Sequence, residues 1–145
     1  MSASKHFLDT NIFIYSFDEK DPIKRQKARM MIREALKFQT GVISFQVIQE
    51  FLNIATKKFS VVLSFEDLND YLRTVLFPLC DTSPTEELYQ YALELHKAHH
   101  FSFYDSLILA AAVKTNCKTI YTEDLQDAQV VAGVKIQNPF EIKEE

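Results

Sequence analysis

An α/β sandwich around a short, mainly parallel sheet of four or five strands is the fold class this sequence predicts. Three features lead to it. Brief apolar runs of strand character, such as His6-Phe7-Leu8 and Thr119-Ile120-Tyr121, alternate with longer stretches of helical periodicity. With 145 residues, 47% of them apolar and 25% charged, the chain can bury one core and is too short for two. Acidic residues stand where apolar runs give way to turns, and ligands of parallel sheets bind beyond the carboxyl ends of the strands.

The first strand ends at Asp9, and the Asp9-Thr10-Asn11 turn leads into a helix carrying Ile12, Phe13, Ile14 and Tyr15. Pro22 opens a long helix to about Phe38, since its missing N–H is harmless in a first turn, and Ala28, Met31, Ile32, Ala35 and Phe38 recur at helical spacing as an apolar face. Gly41 is a stop signal, and Val42-Ile43 makes a brief strand. From Phe45 to about Lys58, the positions of Val47, Ile48, Phe51, Leu52, Ile54 and Ala55 describe an amphipathic helix.

Another helix starts at Ser64, with Asp67 placed to complete a capping box, and runs to about Phe77. Pro78-Leu79-Cys80 reads as a minimal strand. A capping Ser83, a first-turn Pro84 and Glu86 predict a helix that ends near His99. Tyr104 to about Asn116 is nearly all apolar, so this helix is expected to be buried on most sides. Thr119-Ile120-Tyr121 and Val134-Lys135-Ile136 supply the remaining strands.

No linker-like or repeated segment divides the chain, so residues 1–145 are expected to form one domain, loose only at Lys143-Glu144-Glu145. Met1-Ser2-Ala3-Ser4-Lys5 has no export-signal layout, and no apolar run approaches the ~18 residues of a membrane span. A cytoplasmic protein without a membrane partner is therefore expected. Cys80 and Cys117 are widely separated and read as reduced, packed thiols.

Four acids carry the chemistry: Asp9, Glu50, Asp105 and Asp124. Brought together, they would need a counter-charge, because like charges ~4 Å apart repel by about 4 kcal/mol at an effective dielectric near 20. Carboxylates suit Mg²⁺ or Mn²⁺, hard cations that bind through a few acids plus substrate phosphate. Each acid also has an ordinary explanation. Asp9 can cap the next helix, Glu50 can be a solvated helix residue, Asp105 gains from the helix dipole, and Asp124 suits a turn in which Glu123 is its rival. The cost of desolvating Asp105 beside so much apolar surface favours pairing or metal ligation. Thr10, Asn11, Ser44 and Thr122 are placed to orient these carboxylates by hydrogen bonds, or else to serve ordinary turns.

The formal charge of −4 does not exclude a nucleic-acid substrate: without the four acids, 16 acidic residues face 16 basic ones. Arg25, Arg29, Arg33 and Lys37 form a ridge on the long second helix, and Lys57 and Lys58 lie downstream of Glu50. Either patch can follow a phosphate backbone, although a basic ridge is more often only a solvated helix face. Other chemistries fare worse. Gly41 and Gly133 are the only glycines, so there is no phosphate-binding glycine loop, and His96, His99 and His100 read as a solvated helix end before a zinc site.

The segments Phe7-Leu8-Asp9-Thr10-Asn11, Ser44 to Phe51, Ser102 to Ile108 and Tyr121-Thr122-Glu123-Asp124-Leu125, in this order, resemble the PIN domain, a metal-dependent ribonuclease fold that includes VapC-type toxins. The resemblance spans nearly the whole chain. It implies a three-layer arrangement, with helices on both faces of the sheet, and a pocket where Asp9, Glu50, Asp105 and Asp124 hold one or two Mg²⁺ or Mn²⁺ ions. Thr122, two residues before the last acid, matches the family pattern and favours Asp124 over Glu123. The implied activity is endoribonuclease cleavage by a metal-activated water, leaving 5′-phosphate ends. A small antitoxin covering the site and a homodimer are also implied, and exposed-looking Phe59 and Phe65 suit such contacts.

Two further readings stand beside it. A phosphatase with Asp9 as nucleophile fits poorly, because Asn11 occupies the position of its usual second Asp. The other is a non-catalytic PIN-like nucleic-acid-binding or scaffold module in which the acids are structural.

Overall fold

The computed structural model describes residues 4–58 and 63–141. Five strands form one sheet: β1 (Lys5–Leu8), β2 (Gly41–Val42), β3 (Cys117–Tyr121), β4 (Val130–Val131) and β5 (Val134–Gln137), in the order β2-β1-β3-β5-β4. All neighbours are parallel except β4, which pairs antiparallel with β5 at the edge. The helices are α1 (Thr10–Tyr15), α2 (Pro22–Phe38), α3 (Phe45–Lys58), α4 (Phe65–Tyr71), α5 (Phe77–Leu79), α6 (Glu86–His99) and α7 (Phe103–Lys114). The class is the predicted α/β sandwich.

The neighbours Phe7 and Leu8 on β1 point to opposite faces of the sheet, and both are fully buried. Both faces are therefore covered by helices, as a parallel sheet requires. α7 packs on β3 and β5 and against α6, while α1 joins α2 to α3. An aromatic cluster fills one side: Phe51 meets Phe13 at 6.4 Å and Tyr71 at 5.3 Å between ring centroids. Gly41 is needed where β2 crosses α2, because a Cβ there would stand 2.3 Å from Ala35 Cβ. Its role is this close approach rather than the stop signal. α2 is ended by Gln39 in the left-handed conformation at φ 55°.

Local signals gave the right helix starts in two cases. Pro22 occupies the first turn of α2, and the Ser64–Asp67 capping box closes in both directions at 3.1 Å. α7 is buried from Ser106 to Ala112, as its composition predicts.

Elsewhere the structure corrects the reading. Pro78-Leu79-Cys80 is not a strand: the chain passes from α4 through a wide π turn, Leu72–Leu76, into α5, and Cys80 makes only an isolated parallel bridge to Ile43. Pro78 has no N–H to donate, so a full strand ladder was never available to it. The cap of α6 is Thr85, whose Oγ1 accepts from Leu88 N at 3.1 Å, and not Ser83; the start is set by the burial of Leu88, Ala92 and Leu95. Phe38 leaves the apolar face of α2 and is 60% exposed, as the last residue before the left-handed turn at Gln39. The edge strand β4 had no sequence signal of its own. Cys80 and Cys117 are free thiols. Phe59 and Lys143-Glu144-Glu145 lie outside the described residues. Among the described residues, no helix is long and apolar enough to cross a membrane.

Candidate functional site

Sheet register places the first and last acids together. Leu8 on β1 pairs with Tyr121 on β3, so the residues that follow, Asp9 and Thr122, emerge side by side at the carboxyl end of the sheet. The backbone continues the ladder there, with Asp9 N donating to Tyr121 O at 3.1 Å. Asp9 is the N-cap of α1: its Oδ1 accepts from Thr10 N at 2.7 Å, and its Oδ2 accepts from Thr122 Oγ1 at 2.6 Å. Capping and site geometry are thus two uses of the same carboxylate. Thr122 Oγ1 in turn accepts from Asp124 N at 3.1 Å, which fixes the turn carrying Asp124.

Helices α3 and α7 bring the other two acids. Glu50 Oε2 accepts from Thr10 Oγ1 at 2.8 Å, and its Oε1 accepts from Gln46 Nε2 at 2.7 Å. Gln46 and Glu50 are one helical turn apart and share a face of α3. The same amide nitrogen donates to the carbonyl of Tyr104 at 3.2 Å, tying α3 to the first turn of α7. In that turn Ser102 is the N-cap, and its Oγ accepts from Asp105 N at 3.1 Å. Exposure is graded: Asp9 is buried, Glu50 and Asp105 are half-buried, and Asp124 is exposed, so the cluster opens to solvent on one side.

Glu50 and Asp124 act on both Asp9 and Asp105. Burial pushes the Asp9 carboxyl up to about 7; Thr122 and the Thr10 N–H oppose the rise, and Asp124 and Glu50 add to it. Asp105 is raised by burial, against its hydrogen bonding with Ser102, and further by Asp124 and Glu50. Among the described residues, no Lys or Arg acts appreciably on either carboxyl. Among the described residues, however, no three His, Cys, Asp or Glu side chains are closed into a finished coordination set. The acids are near enough to repel and stand apart from one another. An oxygen-only donor set of this kind suits a hard divalent cation.

Glu123 points elsewhere. Its Oε2 receives Lys24 Nζ at 3.1 Å, and its hydrogen bond to Tyr15 is the largest influence raising that phenol. Lys24 also lies 4.5 Å from the Tyr15 ring centroid, and Tyr15 meets Phe140 edge-on. This cluster anchors the residue before Asp124 to α1 and α2.

Thr10 donates to Glu50 and Thr122 to Asp9. Asn11 makes no such bond among the described residues, and Ser44 Oγ is buried there without a partner. The basic candidates are not drawn into the cluster. Arg29 donates to the Ser16 carbonyl at 2.8 Å, and with Arg33 it lines an apolar groove beside Tyr71. Arg25 is half-buried in α2, and Lys57 and Lys58 are exposed in the last turn of α3. His96 faces the Phe101 carbonyl and His99 stacks on the Phe101 ring, and neither joins a metal-binding group among the described residues. Gln46 was missed in the sequence, although its spacing from Glu50 was a usable signal.

The PIN domain family model matches residues 6–133, and the chain belongs to that family. Three solved structures show the same fold. A toxin–antitoxin complex from Klebsiella pneumoniae is similar with a TM-score of 0.68 and 20% identity, over 95% of this chain and 100% of that one. FitAcB from Neisseria gonorrhoeae gives 0.57 and 19%, over 94% of this chain and 99% of that one. VapBC2 from Rickettsia felis, bound to a DNA fragment from their promoter, gives 0.59 and 18%, over 92% and 97% respectively. No curated protein sequence matches the chain.

Proposed function

We propose that this protein is an endoribonuclease of the VapC toxin type, whose Asp9, Glu50, Asp105 and Asp124 hold one or two Mg²⁺ or Mn²⁺ ions. What supports the reading is that Glu50 and Asp124, from separate segments, both act on Asp9, which burial above all raises to about 7, and on Asp105. When bound, a divalent ion supplies Lewis-acid activation of water and offsets charge on the phosphate. The chain's own residues do the rest. Thr122 and the Thr10 N–H hold Asp9 in one orientation, Thr10 and Gln46 do the same for Glu50, and the capped first turn of α7 presents Asp105.

The exposure of Asp124 is compatible with access by a large substrate such as a polynucleotide. Arg25, Arg29, Arg33, Lys57 and Lys58 are the cations proposed to meet phosphates farther along the strand. Membership of the PIN family supports nuclease chemistry, and the toxin–antitoxin assemblies among the structural relatives support an antitoxin partner for a toxin working in the cytoplasm. Phe65, 81% exposed, is available to a homodimer or antitoxin contact.

The test is cleavage of RNA and DNA substrates with Mg²⁺ or Mn²⁺, with and without chelator. RNA cleavage by the wild type is expected, falling to the chelator level in Asp9→Asn and Asp105→Asn. Unchanged cutting by these folded variants would refute the assignment. A non-catalytic scaffold is the second reading, favoured by the unclosed spacing of the acids. Calorimetric Mn²⁺ binding without cleavage of any RNA or DNA would select it.

A further inference from the structure

Gln46 stands out among the buried polar groups. It is 4% exposed, its Nε2 donates to Glu50 Oε1 at 2.7 Å and to the Tyr104 carbonyl at 3.2 Å, and its Oε1 is buried with no partner among the described residues. The opposite amide orientation would set Oε1 against two acceptors, so only the observed one is chemically consistent. An orphaned buried acceptor costs free energy, and it is tolerated here while both of its sister donors are engaged.

Those two bonds join the acid of α3 to the helix turn that carries Asp105, one residue beyond Tyr104. Thr10 holds the other oxygen of Glu50 at 2.8 Å, so the carboxylate is gripped at both ends and cannot turn away from its neighbours. We propose that Gln46 is a positioning residue that sets the orientation of Glu50 and its separation from Asp105, and so the affinity of the centre for a divalent cation. This rests on the metal-centre reading above.

Isothermal titration with Mn²⁺ and thermal unfolding in chelator, on wild type, Gln46→Leu and Gln46→Met, test the proposal. Both variants keep the bulk of the side chain, remove the orphaned acceptor and delete the two donors. Mn²⁺ affinity is expected to weaken by about 10- to 100-fold, the usual effect of removing a group that orients a metal ligand. The melting temperature in chelator is expected to stay near the wild-type value. A merely structural glutamine would give the reverse split, with lowered melting temperature and unaltered Mn²⁺ affinity, and that result would overturn the proposal. Failure of both variants to fold would overturn it as well. If the wild type itself binds no Mn²⁺, the metal-centre reading falls too, whereas equal binding by wild type and variants rejects only the role of Gln46.

Discussion

Thr122 donates its hydroxyl to Asp9 at 2.6 Å, although 113 positions separate the two in the chain. The same oxygen accepts from Asp124 N at 3.1 Å, so one side chain couples the acid after β1 to the acid after β3. Thr122→Val removes both interactions at nearly constant volume. Asp9 then loses a bond that favours its charged form, and the Asp124 turn loses an anchor. Mn²⁺ affinity measured by calorimetry is expected to drop by about 10- to 100-fold and to recover in Thr122→Ser. Wild-type affinity in Thr122→Val would contradict this coupling.

Asp9 also gives the metal-free protein a pH dependence of defined sign. Its carboxyl titrates at about 7 in the fold against an ordinary value of 3.8, so across that interval the folded chain holds a proton that the unfolded chain has released. Stability in chelator therefore falls as pH rises from about 4 to about 7, by up to about 4 kcal/mol, since each tenfold difference in proton affinity is worth about 1.4 kcal/mol. Asp105, also raised, acts in the same direction. Denaturant melts across this range should show a shallower fall in Asp9→Asn, and saturating Mn²⁺ should remove most of it from the wild type. An equal slope in Asp9→Asn would locate the effect elsewhere.

Glu123 and Asp124 should differ sharply when neutralised. Glu123 is held by Lys24 and Tyr15, while Asp124 is exposed and close enough to raise both Asp9 and Asp105. Glu123→Gln is expected to keep metal-dependent cleavage within a few-fold of wild type, since it removes a partly exposed ion pair of modest worth. Asp124→Asn is expected to abolish that cleavage. Initial rates on one RNA at several Mn²⁺ concentrations decide the matter, and an inverted pattern would move the ligand role to Glu123.

The sequence disclosed what local chemistry dictates. Pro22, the Ser64–Asp67 box and the unbroken apolar surface of α7 each fix an element without help from distant residues, and the four acids were visible because each stands at an element boundary or among apolar neighbours. Features set by tertiary contacts were hidden. Cys80 takes its single bridge from Ile43, and Thr85 rather than Ser83 caps α6 because helix phase follows the buried Leu88. Val130–Val131 becomes a strand only because β5 turns back beside it. The bond from Gln46 to the Tyr104 carbonyl spans 58 positions and leaves no local trace, and the aim of Glu123 depends on Lys24, 99 positions away.

The central claim is that Asp9, Glu50, Asp105 and Asp124 form one cation-binding centre. A crystal grown with Mn²⁺ and measured for anomalous scattering tests it most directly. The expected result is a peak within about 2–2.2 Å of carboxylate oxygens from at least two of these residues, Asp9 among them, as hard divalent ions require. Anomalous density found only away from Asp9, or none at saturating Mn²⁺, would contradict it.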